Sequence, residues 1–405
     1  MSSKVSDPRR LAWAVAPGAL LAGVGGGIAF PILPTVGQRV GLSLGFIGLI
    51  LAANRAARIV ANPIVGVIAD RFGGRRTLLV GLAIQLVTMT LYWLGVKTAH
   101  PGALFLAGRI LHGPGSACVF VAAQSLALHA GGTDKSGQTG AIVRGAMAIG
   151  VPVGLVIGGL LADAWGEAQT FAAAGGAIVT ATAGAFFLLP DLRVPMRSAP
   201  TLRDAFRALS DQRIAAIGAL NFAGAFVGTG MVLTTAVLVV QARRIELVGL
   251  PERTTASLFM GLLVTAEALS MPVFGRLGDR RAAHARIALG GVGVMVPALL
   301  VIAYARTAVT YASGIGLLGC GIGALGPSVL GLLAQRVPPA HRGVSVGALQ
   351  MVADVGGAAG PLVGTAFFAG SVEGPYLFGA FVVALMVAPA VWLARTSGSK
   401  PRPRG

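Results

Sequence analysis

Long apolar blocks recur along the whole chain, and they constrain its fold more than any other feature. Twelve of them can be placed at about 11–34, 44–68, 77–96, 102–129, 139–162, 168–189, 214–241, 255–275, 287–305, 309–334, 343–369 and 375–394. A helix of roughly 20 apolar residues spans the hydrocarbon core of a bilayer. The sequence therefore predicts an all-α membrane protein with twelve transmembrane helices.

Composition excludes the classes of soluble protein that the net charge alone would suggest. Charged residues make up 11% of the chain, against about 25% in an ordinary soluble domain. The net charge of +18 is spread over many short connections, so we expect no nucleic-acid partner. Cys118 and Cys320 both lie inside apolar blocks, so neither a disulfide framework nor a metal site is predicted. The block at 11–33 is too long for a cleaved signal segment and is interpreted as a retained first helix.

The basic residues predict an orientation in the membrane. With the N-terminus inside, 22 Lys and Arg lie on the cytoplasmic side, 6 lie on the opposite side, and 4 lie within helices. The positive-inside rule then predicts a multi-pass protein of the inner (cytoplasmic) membrane with both termini in the cytoplasm. We expect an N-terminal six-helix bundle at 1–190, a cytoplasmic linker at 191–213, a C-terminal six-helix bundle at 214–395 and a basic cytoplasmic tail at 396–405.

Three short patterns of the first half recur in the second half in the same order. Their offsets are 209, 208 and 206 residues, and they pair Gly66, Asp70 and Arg71 with Gly275, Asp279 and Arg280, Gly113 and Gly115 with Gly321 and Gly323, and Gly150, Gly154 and Gly158 with Gly356, Gly360 and Gly364. Because each half holds six helices, both copies enter the membrane from the same side. The sequence predicts two parallel repeats with a substrate site at their interface.

The loop after the second helix resembles the signature of the major facilitator superfamily. Its sequence is GVIADRFGGRR over 66–76, and Gly74 stands where that family has its first basic residue. The resemblance implies the major facilitator fold and a gating role for the loop, and it leaves open which arginine gates. The implied gating residues are Gly66, Asp70, Arg71, Gly73, Arg75, Arg76 and Asp134, with Asp279 and Arg280 in the repeat.

Two further motifs extend the resemblance. Arg109-Ile-Leu-His112-Gly113-Pro-Gly115 is similar to the family's Arg-x-x-Gln-Gly-x-Gly, with His112 in place of Gln. Glycines at a spacing of four resemble a motif associated with antiporters. They are Gly150, Gly154 and Gly158 in the fifth helix, and Gly356 and Gly360, followed by Pro361, in the eleventh. Small residues at this spacing let helices cross closely, and ordinary helix packing is the alternative explanation.

Ionisable side chains deep in the helices are candidates for function, because a charge in hydrocarbon is costly. Glu267 and Asp354 are candidate proton carriers. The candidates for lining a substrate cavity are Asn54, Arg55, Arg58, Arg109, His112 and Asn221. Static ion pairs between helices are the alternative for this set.

These patterns predict a secondary transporter that works by alternating access and exports a small organic compound or drug with proton coupling. Uptake or exchange of an organic anion and lipid export are the alternatives. An enzyme is not expected, since the spacing of His129 and Asp134 is the only pattern that resembles a catalytic pair. ATP-driven transport is not expected either, because GGTDKSG lacks the glycine that a phosphate-binding loop needs before its lysine. We expect a monomer with a small-molecule substrate, protons and the lipid bilayer as partners, and no cofactor.

Overall fold

The apolar blocks fold as helices throughout the part of the chain that the computed structural model describes, which is residues 8–189, 209–281, 283–336 and 342–396. The first five helices are α1 (Pro8–Arg39), α2 (Leu44–Phe72), α3 (Gly74–Val96), α4 (Gly102–Trp165) and α5 (Glu167–Leu188). The others are α6 (Gln212–Arg243), α7 (Glu252–Arg281), α8 (His284–Tyr304), α9 (Ala308–Arg336), α10 (Arg342–Gly370), α11 (Gly374–Leu385) and α12 (Val387–Thr396).

Local sequence explains where several helices begin and end. The Ser43 hydroxyl accepts a hydrogen bond from the Phe46 backbone N–H and caps the start of α2. Gly73 joins α2 to α3 with φ at +86°, a conformation that favours glycine. The Asp211 carboxylate caps α6 by accepting hydrogen bonds from the backbone N–H groups of Arg213 and Ile214.

Helix α4 contains 64 residues and covers two of the predicted helices together with the loop between them. A straight helix would separate His112 from Gly154 by about 63 Å at 1.5 Å per residue. A Cβ added to Gly26 would lie 3.4 Å from His112, and one added to the adjacent Gly27 would lie 2.8 Å from Leu155. Both parts of α4 therefore pack on the same stretch of α1, so the chain reverses between them. We call them the first part (Gly102–Ala123) and the second part (Ile149–Trp165).

The described residues form eleven helices that are long and apolar enough to cross a membrane, and the second part of α4 is a shorter apolar helix. The prediction of an all-α, multi-pass membrane protein is confirmed. The chain divides into two compact units. The first unit holds α1 to α5 together with Val248–Gly261, which includes the start of α7, and the second holds α6 and the helices from Leu262 onward. The predicted bundle boundaries had placed 248–261 in the second bundle.

Candidate functional site

In the first unit, the glycines of the second part of α4 lie directly against the backbone of α1. A Cβ added to Gly154 would lie 2.7 Å from the Val24 Cα, and one added to Gly158 would lie 2.9 Å from the Ile28 Cα. Contacts this short leave no room for a side chain. The two helices cross at backbone distance, as small residues at a spacing of four permit.

In the second unit, α6 and α10 cross in the same way. A Cβ added to Gly356 would lie 2.6 Å from the Phe222 carbonyl oxygen, and one added to Gly360 would lie 2.6 Å from the Gly230 Cα. Around Gly230 the backbone of α6 is π-helical over Phe226–Val232. A π-helical turn inside an α-helix is frequent at functional sites. The crossing of α6 and α10 therefore combines close backbone packing with a local change of helical register.

Contacts between the first part of α4 and its neighbours are reproduced in the second unit. A Cβ on Gly113 would meet the Asn54 carbonyl oxygen at 2.6 Å and the Arg58 nitrogen at 3.0 Å. A Cβ on Gly319 would meet the Leu263 carbonyl oxygen at 2.5 Å and the Glu267 nitrogen at 3.1 Å. Gly113 thus corresponds to Gly319, two residues from the partner that the sequence suggested. Helix α9 contains two overlapping Gly-x-Gly motifs here, at Gly319 and Gly321 and again at Gly321 and Gly323. This overlap explains why the sequence comparison selected the wrong register.

A second set of contacts fixes the same correspondence for α3 and α8. Gly81 faces the Gly115 carbonyl oxygen and the Cys118 side chain, and Gly291 faces the Gly321 carbonyl oxygen and the Ala324 side chain. Gly108 packs on the Tyr92 ring, as Gly314 packs on Ile302. Positions in α4 therefore match positions 206 residues later in α9, and positions in α3 match positions 210 residues later in α8.

Arg109 is the largest fully buried side chain in the described part of the chain, with 1% of its surface exposed. Its Nη2 donates a hydrogen bond of 3.3 Å to the Leu51 carbonyl oxygen of α2. Its guanidinium carbon lies 5.2 Å from the centre of the Phe30 ring of α1. The Tyr92 hydroxyl of α3 lies close enough to interact with the same guanidinium. Four helices therefore meet at this charge.

Further polar side chains lie on the same helices as Arg109 and its neighbours. His112, one turn along α4, is 2% exposed and within electrostatic range of the Arg109 and Arg58 guanidinium groups. Gln85 of α3 is fully buried, and its amide oxygen would lie 3.3 Å from a Cβ on Gly25 of α1. We call this set the polar column and define it as Asn54, Gln85, Tyr92, Arg109 and His112.

Sequence reasoning identified Asn54, Arg109 and His112 but missed Gln85 and Tyr92. Both missed residues are neutral and lie in an apolar helix, so the search for charges passed over them. Their only signal was polarity at a spacing of seven, which places them on one face of α3. Arg55 and Arg58, also predicted to line the cavity, are half-buried on α2 and have interaction partners.

The candidate proton carriers lie in the second unit. Asp354 in α10 is completely buried, and Glu267 in α7 is half-buried. Both side chains interact with neighbouring groups. Asn221, predicted to line the cavity, donates a hydrogen bond of 2.8 Å to the Leu349 carbonyl oxygen and so joins α6 to α10. By its contacts with Gly319, Glu267 occupies the position that Arg58 has in the first unit.

The predicted gating loop is described in part. Arg71 and Arg76 are exposed, and Arg75 donates a hydrogen bond to the Phe186 carbonyl oxygen. The side chains of Asp70 and Asp134, and the surroundings of Gly66, lie outside the described residues.

In the repeat of the loop, Asp279 is exposed and lies 3.1 Å from the buried His284. The neighbouring Arg280 is also exposed. The His284 ring fills the space beside Gly278 and Gly331, since a Cβ on either glycine would contact it. The Asp279 to His284 contact therefore joins the end of α7 to the start of α8.

A second group of charges lies at the other end of the first unit. Arg253 at the start of α7 pairs with Asp163 at 3.3 Å and with Glu167 at 2.8 Å, and Arg39 pairs with Glu167 at 2.6 Å. The Asp163 carboxylate also accepts hydrogen bonds from the backbone N–H and the hydroxyl of Thr254. The four side chains join the ends of α1 and α4 to the starts of α5 and α7.

Comparison with known proteins identifies a common family. The sequence model of the Major Facilitator Superfamily matches residues 15–361 and, in an overlapping match, residues 248–405. A multi-drug resistance efflux pump PmrA homolog of Lactococcus lactis is 30% identical over 84% of this chain and 83% of its own. The class C tetracycline resistance protein of Escherichia coli is 26% identical over 86% of this chain and 87% of its own. The crystal structure of the nucleoside transporter NupG superimposes with a TM-score of 0.75 at 13% identity, covering 96% of this chain and 98% of that one.

Proposed function

The chain belongs to the Major Facilitator Superfamily, so it is a membrane transporter of a small molecule and not an enzyme, and we propose that it exports an organic compound by proton-coupled alternating access. The drug-export names of its relatives support export as the direction and a drug-like compound as the cargo. We place the protein as a monomer in the inner membrane of a bacterium, with both termini in the cytoplasm.

Glycine contacts support alternating access within each unit. At Gly154 in the crossing of α1 with α4, and at Gly360 in the crossing of α6 with α10, backbone lies directly against backbone. Such crossings allow a helix pair to tilt as a body. The π-helical segment Phe226–Val232 supplies a point in α6 where the helical register changes. These features fit a unit that changes its tilt while its helices stay intact.

The observation that carries proton coupling is the complete burial of Asp354 in a membrane-spanning helix. A carboxyl group in such surroundings is rare and commonly belongs to an ion or proton pathway. Glu267 is a further acid within a membrane-spanning helix of the second unit, about three turns before the exposed Asp279 near the end of that helix. Both acids are therefore assigned to proton exchange, which links the protonation state to the direction in which the transporter opens.

The test is drug transport by the purified protein in proteoliposomes with an imposed pH gradient. We expect the wild type to concentrate tetracycline, and Glu267→Gln and Asp354→Asn to lose gradient-driven transport while keeping tetracycline binding. Glu246→Gln is the matched control, because Glu246 is exposed and lies outside the membrane-spanning helices. If both neutral variants still concentrate the drug as the wild type does, neither residue carries the proton, and static pairing becomes the better explanation.

A further inference from the structure

The two units place different side chains at equivalent positions, and this difference isolates a site in the first unit. The contact register makes Gln85, Tyr92, Arg109 and His112 equivalent to residues of α8 and α9, and Asn54 equivalent to a residue of α7. In the same order, with Asn54 last, these equivalents are Met295, Ile302, Ile315, Leu318 and Leu263. All five are apolar, and each is at most 1% exposed. The fold therefore accepts a purely apolar filling at these positions, so the polar column is not required for packing.

Hydrogen bonding in the polar column is incomplete. Nε and Nη1 of Arg109, both amide atoms of Gln85, the Tyr92 hydroxyl, Nδ1 of His112 and Oδ1 of Asn54 are buried and make no hydrogen bond. Buried polar groups in folded proteins almost always have a partner, and each exception points to a missing water or ion. Leaving a buried polar group without a hydrogen bond destabilises the fold, and more so when the group is charged. The open donors at the guanidinium, which are Nε and Nη1 of Arg109 and the Tyr92 hydroxyl, indicate an acceptor that binds from outside the chain.

The carboxylates of the first half whose side chains the structure describes do not supply that acceptor. The acids among residues 1–190 are Asp7, Asp70, Asp134, Asp163 and Glu167. Asp163 and Glu167 are paired with Arg253 and Arg39. In sequence, the other three lie outside the membrane-spanning segments. A buried charge is tolerated when a counter-charge accompanies it. The described neighbours of the Arg109 guanidinium are the Leu51 carbonyl oxygen, the Phe30 ring and the neutral Tyr92 hydroxyl, and none of them carries a negative charge.

We propose that Arg109 and Tyr92 form a seat for a small monovalent anion of the size of chloride or a carboxylate group. The open Nε and Nη1 of the guanidinium lie on either side of Nη2, which donates to Leu51, so they present two separate charged N–H donors to an anion. The Tyr92 hydroxyl adds a third donor beside them. Phe30 and the Leu51 carbonyl oxygen hold the guanidinium in position from the other helices. Because all these groups are buried, the seat selects a small ion.

His112 and Gln85 extend the seat along the column. His112 follows Arg109 by one turn of α4, and Gln85 precedes Tyr92 by two turns of α3, about 10 Å away at 1.5 Å per residue. These residues offer further hydrogen bonds to a carboxylate with a longer polar body or to waters around a halide. The anion has two possible sources, a free inorganic ion or the carboxylate of a transported compound. The seat does not depend on the direction of transport or on proton coupling.

The experiment measures thermal unfolding of the purified full-length protein in detergent, at constant ionic strength, in sodium chloride, sodium formate or sodium gluconate. Gluconate is the bulky reference anion. We expect the unfolding temperature of the wild type to be at least about 3 °C higher in chloride or formate than in gluconate, because a ligand that binds only the folded state stabilises it. A shift with chloride identifies a free halide as sufficient, and a shift with formate alone identifies a carboxylate.

Variants taken from the second unit provide the matched comparison. Tyr92→Ile with Arg109→Ile installs the side chains of the equivalent positions, and we expect it to fold and to lose the anion-dependent shift. Met295→Leu changes the core of α8 at the position equivalent to Gln85 and should keep the shift. If the double variant does not fold, Arg109→Lys keeps the charge without the several fixed N–H donors of the guanidinium and should weaken chloride binding in calorimetry about 10-fold or more. The proposal would be overturned if the wild type unfolded at the same temperature in all three salts, or if the double variant kept the shift. Water molecules would then be the better explanation for the open hydrogen-bonding groups of the polar column.

Discussion

Replacing Arg243 with methionine tests how one buried charge closes the end of the second unit. Nη1 of Arg243 donates hydrogen bonds of 2.9 Å to the carbonyl oxygens of Ile302 and Ala305, and Nη2 donates to that of Ala303. Nη2 also pairs with the Glu373 carboxylate at 3.0 Å. The side chain of Arg243 is 2% exposed. It therefore caps the C-terminus of α8 from the end of α6 and ties both to the start of α11.

The size of the effect follows from these contacts. The last carbonyl groups of a helix have no partner within the helix, and a cation at that end also interacts favourably with the helix dipole. Removing one partner of a buried ion pair costs about 3–5 kcal/mol, because the remaining charge stays buried without compensation. Glu373 is more exposed than Arg243, so the carbonyl groups of α8 carry most of the loss. We expect Arg243→Met to lower the free energy of unfolding by about 3 kcal/mol.

The assay is thermal unfolding of the purified protein in detergent, followed by tryptophan fluorescence. A loss of about 3 kcal/mol corresponds to a fall of roughly 6–12 °C at about 2–4 °C per kcal/mol. Arg244→Met is the control, since Arg244 is the exposed neighbour and has no part in the cap. The unfolding temperature of Arg243→Lys should lie between those of Arg243→Met and Arg244→Met, because lysine keeps the charge but lacks the several N–H donors of the guanidinium. An Arg243→Met protein that unfolds within about 2 °C of the control would refute the reasoning.

The remaining predictions concern gating, packing, acid stability and orientation. Asp70→Asn should slow transport without abolishing substrate binding, and unchanged transport rates at normal expression would remove its latch role. Gly360→Val should prevent the α6 and α10 crossing and abolish transport, whereas Gly370→Val, where a Cβ meets no atom within 4 Å, should be tolerated at equal expression. A backbone N–H and Arg243 hold the pKa of the Glu373 carboxyl below its usual value. Its contribution to stability is therefore present above about pH 4.3 and lost as the pH falls through the lowered value, so Glu373→Gln should remove part of the acid dependence of unfolding. Reporters fused within 191–213 and at the C-terminus should both report the cytoplasm, and an external signal at either would reverse the orientation.

Much of the fold could be predicted from the sequence because its signals are local. A block of apolar residues long enough to span a bilayer predicts a helix whatever its neighbours are. The predicted helices at 102–129 and 139–162 show what such local signals cannot predict, which is how two neighbouring spans are connected and packed. The structure forms one continuous α4 there, yet Gly26 and Gly27 contact both of its parts. Hydropathy identified two spans, and only the packing on α1 showed that they lie side by side.

Correspondence between the halves was decided by tertiary contacts. The sequence contains Gly-x-Gly patterns at two neighbouring registers of α9, and similarity alone selected Gly321 as the partner of Gly113. The backbone atoms that each glycine faces select Gly319 instead. A motif of small residues carries little register information, because several glycines on one helix are alike until a neighbouring helix touches one of them.

The candidate site divides in the same way between sequence and structure. Arg109 and His112 could be predicted from the sequence, because a charged or titratable group in an apolar helix is costly and therefore conspicuous. Gln85 and Tyr92 are neutral, and within α3 only their polarity at a spacing of seven distinguishes them from packing residues. Their importance arises from groups on α1, α2 and α4 that are distant in sequence, and from Met295 and Ile302, which show the same positions filled without polarity. The sequence by itself determined which side chains are costly to bury in the membrane, whereas only the tertiary structure decided which of them lie together without partners, because hydrogen-bond satisfaction depends on the atoms of several helices at once.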